Sequence, residues 1–228
     1  MSLEEETVVA HIQRKAAIVT GASRGIGRAC AVRLAQDGFS VVVGYVSGRA
    51  EADETVAAIK STGSDAAAVG ADVADEAAAA ELFDTAERAF GGVDAVVNAA
   101  GRMSLAPLAD FDLAVLDDMF RTNVRGTFAV AQQAARRLRA GGSIINFSSS
   151  VIGRVLPNYT GYAGSKGAVE AMTFILAHEL RGRDVNVNAV APGPTATEMF
   201  PRRQVCGANR ILREGGAPRA PGYAAGHR

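Results

Sequence analysis

The amino-acid sequence predicts a single α/β domain built on a doubly wound parallel sheet. Short apolar runs recur along the chain, longer amphipathic segments separate them, and most runs are nearly continuous in Val, Ile and Ala. Continuous apolar runs are typical of parallel strands buried on both faces. Regular alternation of such strands with helices indicates this fold class. With 228 residues, of which 48% are hydrophobic, the chain can bury one sizeable core.

Six apolar runs are the candidate strands. In chain order they are KAAIVT (15–20), SVVVGYV (40–46), DAAAVGAD (65–72), GVDAVVN (92–98), GSIINF (142–147) and DVNVNAV (184–190).

The segments between these runs are candidate helices. Segment 26–38 stops at Gly38, and segment 75–92 is capped by Asp75 and closed by Gly91. In the first segment we expect four apolar side chains to face the sheet, those of Ile26, Cys30, Val32 and Leu34.

The two ends of the chain differ from this pattern. We expect residues 1–14 to form an N-terminal extension and 15–200 to form the folded domain. Residues 201–228 carry six arginines against one acidic residue and show no strand or helix pattern. We therefore expect an atypical, disordered basic tail. With Tyr223 as its single aromatic residue, the tail does not predict nucleic-acid binding.

Composition excludes several other classes of protein. No apolar stretch is long enough to span a membrane. The two cysteines, Cys30 and Cys206, have no metal-binding or redox spacing, which indicates a reduced, cytoplasmic protein. The three histidines form no metal-ligand pattern, so we expect no metal site.

The stretch TGASRGIG (20–27) follows the first strand and opens the first helix. It matches neither the P-loop pattern nor GxGxxG. Backbone N–H groups at a helix N-terminus favour an anion, and Gly21 can take a turn conformation that other residues avoid. Gly25 and Gly27 leave room for a ligand and for close packing of the helix on the strand. Alone, the stretch is also compatible with a glycine-rich turn that holds no ligand.

The stretch resembles the TGxxxGxG loop of the short-chain dehydrogenase/reductase family. Other stretches agree with that family in type and order over residues 15–200: Asp72-Val73, Asn98-Ala99-Ala100-Gly101, Asn123, Ser148-Ser149-Ser150, Tyr162 with Lys166 as YxxxK, and PGPTAT after the sixth strand. Ala99 stands where the family has a second Asn, so we expect the loss of one buried hydrogen bond there. The resemblance implies a Rossmann-like fold, with residues 15–200 as its dinucleotide-binding catalytic domain. Because family members continue with a further strand that residues 201–228 do not match, it also implies a last strand of the sheet that is missing or altered.

The resemblance also implies a binding site for a nicotinamide dinucleotide. Its residues would be Gly21, Ser23, Arg24, Gly25, Ile26, Gly27, Tyr45, Ser47, Arg49, Asp72, Val73, Asn98, Ala99, Ala100, Gly101, Tyr162, Lys166, Pro192, Gly193, Thr195 and Thr197.

Four residues are the candidate catalytic set. Tyr162 and Lys166 are four apart and share one helix face. We expect the ammonium and a nicotinamide cation to lower the pKa of the phenol, which then exchanges a proton with the substrate oxygen. A serine hydroxyl would hold that oxygen. Spacing favours Ser149, and counting from Gly153 favours Ser150 instead. Asn123, a poor helix former, is expected to distort its helix and hold a water relay to Lys166.

The end of the second strand predicts NADP(H) as the cofactor. An acidic residue there would bind the ribose 2′-hydroxyl of NAD, but no acid occurs before Glu51. Ser47 can donate to a 2′-phosphate, and Arg24 or Arg49 can neutralise it.

The sequence therefore predicts an NADPH-dependent oxidoreductase that reduces a small-molecule ketone or aldehyde to an alcohol. Its motifs are similar to those of 3-oxoacyl-carrier-protein reductases and about equally to those of sugar or steroid dehydrogenases. The alternative is a nucleotide-binding protein with little or no turnover, either a redox-sensing regulator or a product altered at its C-terminus. Helix 160–180 is apolar over a wide arc, and with the resemblance this implies a homodimer or homotetramer.

Overall fold

The computed structural model describes residues 14–195 as six strands and six α-helices joined by short loops. The strands are β1 (Ala16–Thr20), β2 (Ser40–Tyr45), β3 (Ala66–Gly70), β4 (Val93–Asn98), β5 (Leu138–Phe147) and β6 (Asn186–Val190). The α-helices are α1 (Gly25–Gln36), α2 (Arg49–Lys60), α3 (Glu76–Phe90), α4 (Leu113–Phe120), α5 (Thr127–Arg137) and α6 (Thr160–Glu179). The expected tail, the altered last strand and most of the N-terminal extension lie outside the described residues.

The strands form one parallel sheet in the order β3-β2-β1-β4-β5-β6. The chain winds outward from β1 to β3 and then returns to place β4 on the other side of β1. This confirms the predicted doubly wound, Rossmann-like domain. Between β1 and β4 the strand order reverses, and in such sheets ligands bind at the carboxyl ends of the strands beside that point.

Two apolar cores lie on opposite faces of the sheet. Successive residues of β1 point to opposite faces, so Ile18 joins the core beneath α3 and α5 and Val19 joins the core beneath α1 and α2. Every residue of β1 is buried. The continuous apolar runs of the sequence are thereby explained, because both faces of the central strands are covered.

Two strands, β5 and β6, start two or more residues away from the predicted position. β5 begins at Leu138, but its ladder with β4 is irregular before Ser143, because Gly141 adopts a left-handed conformation with φ of 79°. β6 begins two residues later than expected, after Asp184, whose φ of 54° is incompatible with an extended strand.

The helix ends follow the predicted signals, and the predicted apolar face of α1 is only partly buried. Asp75 caps α3 by accepting from the Ala78 N–H at 2.8 Å, and Gly91 ends it with φ of 81°. On α1 the buried residues are Gly27, Ala31 and Ala35. The four larger side chains expected to face the sheet are half-buried. Cys30, Val32 and Leu34 pack against the core beneath α1 and α2, whereas Ile26 lines the cavity. Small residues let this helix approach the sheet closely.

Candidate active site

The turn between β1 and α1 is built by glycines that touch other backbone. Gly21 has φ of 63°, and a Cβ added there would lie 2.8 Å from the Ala100 Cα. A Cβ on Gly27 would collide with the Gly21 carbonyl. The glycines therefore let α1 start directly against the end of β1 and beside the loop after β4, as the spacing predicted.

The N-terminus of α1 opens toward a cavity. Arg24 precedes the helix in an extended conformation, and no side chain caps the first turn. Its N–H groups therefore keep their capacity to bind an anion, and the helix dipole favours one.

A single cavity of about 830 Å³ runs from this turn to Tyr162 along the carboxyl ends of the strands. Most of the residues predicted to bind the cofactor line it: Gly21, Ser23, Arg24, Gly25, Ile26, Gly27, Tyr45, Ser47, Asp72, Val73, Ala99, Ala100, Gly101, Tyr162, Lys166, Pro192, Gly193 and Thr195. Ser149 and Ser150 line it as well. The uncapped N-terminus of α1 at one end, together with cationic side chains along the wall, fits a dinucleotide with its phosphates.

Three predicted site residues do not line the cavity, namely Arg49, Asn98 and Asn123. Thr197 lies outside the described residues. The Arg49 guanidinium forms an ion pair with Asp53 one turn along α2, at 2.9 Å. Asn98 is buried at the end of β4 and donates to Asn146 Oδ1 at 2.8 Å. Asn146 in turn donates to Thr173 Oγ1 at 2.9 Å, so this chain of polar groups connects β4, β5 and α6.

Asp72 lies at the cavity wall after β3, where it is held by two donors. Its Oδ2 accepts from Arg121 at 2.5 Å and its Oδ1 accepts from the Ala74 N–H at 3.0 Å. Burial by itself would raise the pKa of Asp72, but these hydrogen bonds and the Arg121 charge outweigh it, so the pKa is lowered.

Asn123 lies inside a π-helical segment, Arg121–Gly126, that joins α4 to α5. Its side chain is fully buried and makes three hydrogen bonds: Oδ1 accepts from the Arg102 N–H at 2.8 Å, and Nδ2 donates to the Arg102 carbonyl at 2.9 Å and to Ser165 Oγ at 3.0 Å. The predicted helix distortion is present. The side chain fixes the loop after β4 against α6, one residue before Lys166.

Tyr162 on α6 is buried beside a serine. Burial raises the pKa of Tyr162, the Ser149 hydroxyl opposes this through a hydrogen bond, and the nearby Tyr159 adds to the rise. The expectation that Lys166 lowers this pKa is wrong for the protein by itself, because the Lys166 Nζ is 6.0 Å from the Tyr162 ring centre and desolvation dominates. The phenol is therefore protonated at neutral pH.

Lys166 is itself buried, with only 5% of its surface exposed. Its Nζ donates to the Phe147 carbonyl at the end of β5, at 2.8 Å. Because burial disfavours the charged form, the pKa of Lys166 falls to about 8.

The three consecutive serines have different surroundings. Ser148 Oγ donates to Glu170 Oε1 at 2.7 Å and is thereby engaged by α6. Ser149 is the serine that interacts with Tyr162, and it also begins a short 3₁₀-helix, Ser150–Gly153. This contact favours Ser149 over Ser150 as the partner of Tyr162.

Several cavity residues were not anticipated from the sequence, among them Arg102, Met103, Arg121, Arg154, Leu156 and Tyr159. They lie in irregular segments or at helix ends, where no periodic pattern indicates which way a side chain points. The ion pair of Arg121 with Asp72 joins residues 49 positions apart, so no local signal predicted it.

Within residues 14–195, no group of three or more His, Cys, Asp or Glu side chains could hold a metal ion. No helix in this described part is long and apolar enough to cross a membrane.

Known proteins resemble this chain over most of its length. Residues 15–205 match the family model described as short chain dehydrogenase. A short-chain type dehydrogenase/reductase from Picea abies is 45% identical over 199 residues, covering 82% of this chain and 72% of that protein. The chloroplastic NADPH-dependent aldehyde reductase 2 of Arabidopsis thaliana is 42% identical over 201 residues, covering 82% of this chain and 74% of that protein.

A solved structure agrees in fold as well. A short chain dehydrogenase from Burkholderia cenocepacia, crystallised in complex with NADP, superimposes with a TM-score of 0.81 at 40% identity, covering 84% of this chain and 80% of that one. The family match, the identity of these relatives and the shared fold agree, and the chain belongs to the short-chain dehydrogenase/reductase family of oxidoreductases.

Proposed function

We propose that this protein is an NADPH-dependent reductase that converts a ketone or aldehyde into an alcohol. The observation that carries the proposal is the single cavity with the glycine turn at one end and Tyr162, Ser149 and Lys166 at the other. Such a cavity holds an extended dinucleotide with its reactive ring beside a proton donor. When bound, the cofactor supplies a hydride.

Tyr162 is the proton donor of this proposal. Because burial raises the pKa of its phenol, Tyr162 carries the proton that a carbonyl oxygen needs as the hydride reaches the carbonyl carbon. Ser149, next to the phenol, donates a hydrogen bond to the same oxygen and orients it.

Two other residues position this pair. Lys166 is held by the Phe147 carbonyl one turn after Tyr162, and it offers a positive charge that favours negative charge developing on the phenol. Asn123 holds the loop after β4 against α6 through Ser165, which fixes the helix that carries Tyr162.

The preference for NADPH rests on the residues after β2. Tyr45 and Ser47 line the cavity there together with Arg24, and no carboxylate among the described lining residues lies at this strand end. A 2′-phosphate would meet a hydroxyl donor and a guanidinium. Since Asp53 engages Arg49, Ser47 and Arg24 carry this part of the proposal. The NADPH dependence named for the Arabidopsis relative supports it.

The test compares wild-type protein with Tyr162→Phe. NADPH and NADH are first titrated separately by fluorescence, and NADPH oxidation is then followed with a panel of aldehydes and ketones. We expect tighter binding of NADPH than of NADH in both proteins. Turnover by Tyr162→Phe should fall about 10²- to 10⁴-fold, the usual contribution of a positioned proton donor.

Two results would contradict the proposal. Tight NADPH binding without turnover of any panel member favours the alternative, a nucleotide-binding protein that is not an enzyme. Unchanged turnover in Tyr162→Phe removes Tyr162 from the mechanism.

We also propose that the protein forms homo-oligomers through α5 and α6. These helices expose three large apolar side chains, those of Phe128, Phe174 and Ile175, with 57%, 67% and 55% of their surfaces accessible. Exposed apolar patches of this kind favour association. Sedimentation of wild-type protein and of Phe174→Ser tests this, since the variant should dissociate.

A further inference from the structure

The wall of the cavity beside Tyr162 is mainly apolar. Met103, Val151, Leu156 and Tyr159 line it, and all four belong to the apolar cluster packed around Tyr162. Tyr159 lies edge-on to Tyr162, with 6.4 Å between the ring centres. A substrate whose reactive carbonyl reaches Tyr162 therefore rests its body against apolar and aromatic side chains.

One cation interrupts this apolar wall. Arg154 directly follows the 3₁₀-helix Ser150–Gly153, and its N–H donates to the Val151 carbonyl at 3.0 Å. Its exposed side chain lines the cavity, and it forms no hydrogen bond or ion pair with another side chain in the part of the chain that the structure describes.

Two other arginines at the cavity, Arg121 and Arg102, are paired with carboxylates. Arg121 pairs with Asp72 at 2.5 Å, and Arg102 pairs with Asp118 at 3.4 Å. Arg154 differs from both, because it faces the cavity without such a partner among residues 14–195.

We propose that Arg154 binds an acidic group on the substrate, so that the substrate class is carbonyl compounds that also carry a carboxylate or another anion. This inference rests on the proposed function, since it assigns the substrate of the same cavity. A guanidinium offers parallel donors that match the two oxygens of a carboxylate. The apolar wall holds the body of the substrate, and Arg154 fixes the end remote from the carbonyl.

The reaction on such a substrate remains a plain carbonyl reduction. When bound, NADPH would supply the hydride for the new C–H bond and so become NADP⁺. The carbonyl oxygen takes the Tyr162 proton as the C=O π bond breaks, and the phenolate left on Tyr162 regains a proton from solvent. The acidic group is not consumed, so it contributes to binding and orientation only.

The first test measures binding and needs no turnover. NADPH-loaded protein is titrated by calorimetry with 4-(hydroxymethyl)benzoate and with the neutral 1,4-benzenedimethanol, neither of which the reduced cofactor can reduce. We expect the anion to bind at least about tenfold more tightly, the effect of one charge-assisted hydrogen bond. Arg154→Gln should abolish this preference and Arg154→Lys should keep part of it.

A matched control removes a positive charge elsewhere. Arg136 is exposed on α5 and does not line the cavity, so Arg136→Gln should retain the full preference for the anion. Equal affinity of wild-type protein for both compounds, or a preference that survives Arg154→Gln, overturns the inference.

A second test separates this inference from the proposed function. NADPH oxidation is measured with 4-carboxybenzaldehyde and with methyl 4-formylbenzoate. We expect a kcat/KM that favours the acid in wild-type protein and a ratio that falls about tenfold in Arg154→Gln. If the anion binds through Arg154 but neither aldehyde is reduced, the proposed function fails and the anion site stands. If both aldehydes are reduced with equal kcat/KM, the function stands and the anion site fails.

Discussion

The two ends of the cavity are built in different ways. At the glycine turn, the shape comes from backbone, because Gly21 and Gly27 leave no space for a Cβ. At Tyr162, the shape comes from buried side chains that satisfy one another across distant segments, such as Asn123 with Arg102 and Ser165. The glycine turn therefore requires residues without a Cβ, whereas the catalytic end requires buried side chains that all form their hydrogen bonds.

This difference predicts two kinds of sensitivity. Added volume should damage the glycine turn, whereas deletion of a polar group should damage the catalytic end. Substitutions of each kind test whether the two ends fail independently.

The largest effect is expected from Gly27→Ala. Within a helix this change is normally stabilising, but here the new methyl group collides with the Gly21 carbonyl, which is backbone and cannot rotate away. We expect a loss of roughly 3 kcal/mol in the free energy of unfolding, at the upper end for overpacking. Binding of NADPH should be lost with it. Urea denaturation and a fluorescence titration measure the two quantities.

Gly167→Ala is the matched control. Gly167 lies within α6, and a Cβ there would have no atom within 4 Å. The same substitution should therefore stabilise the protein by about 0.5–1 kcal/mol. If Gly27→Ala and Gly167→Ala change the free energy of unfolding alike, close backbone packing does not explain the glycine at position 27.

The sequence predicted the glycine end better than the catalytic end for this physical reason. A close approach of two backbone segments requires glycine at fixed positions. The spacing of Gly21, Gly25 and Gly27 can therefore be recognised in the sequence. The doubly wound parallel sheet was predicted as well, because continuous apolar runs indicate parallel strands buried on both faces.

The contacts of the catalytic end could not be found in this way. Asn123 and Ser165 are 42 residues apart, and only the folded chain brings them together. The direction of the Tyr162 pKa shift was missed because it depends on burial, which the spacing of Tyr162 and Lys166 does not encode. Likewise, Arg49 has the charge expected of a phosphate ligand, but Asp53 one turn later engages it.

The next largest effect is expected from Asn123→Ala. The change leaves the Arg102 N–H and carbonyl without their buried partner, and Ser165 Oγ keeps only its own bond to the Tyr162 carbonyl. We expect a loss of roughly 2–3 kcal/mol in the free energy of unfolding, the usual cost of unsatisfied buried polar groups. Because the glycine turn is untouched, turnover should fall further than NADPH affinity does. Denaturation, steady-state kinetics and a fluorescence titration report these changes.

The control for this variant is Asn186→Ala. Asn186 is exposed at the start of β6, so the change should stay within about 0.5 kcal/mol. Equal losses of turnover and of NADPH affinity in Asn123→Ala would show that the two ends of the cavity are coupled rather than independent.

A smaller effect, set by pH, concerns the buried charge of Lys166. Its folded-state pKa is about 8, below its usual 10.5, so the folded protein releases this proton at lower pH than the unfolded chain does. Below pH 8 the buried ammonium costs stability, and this cost disappears as pH rises from 8 toward 10.5. Compared with Lys166→Met, the wild-type free energy of unfolding should therefore rise by roughly 2 kcal/mol between about pH 8 and pH 10.

Lys60→Met, which removes an exposed lysine at the end of α2, should show no such difference in slope. Parallel stability curves for wild-type protein and Lys166→Met would mean that water reaches the ammonium. The catalytic end would then be an open surface rather than a set of buried, mutually satisfied groups.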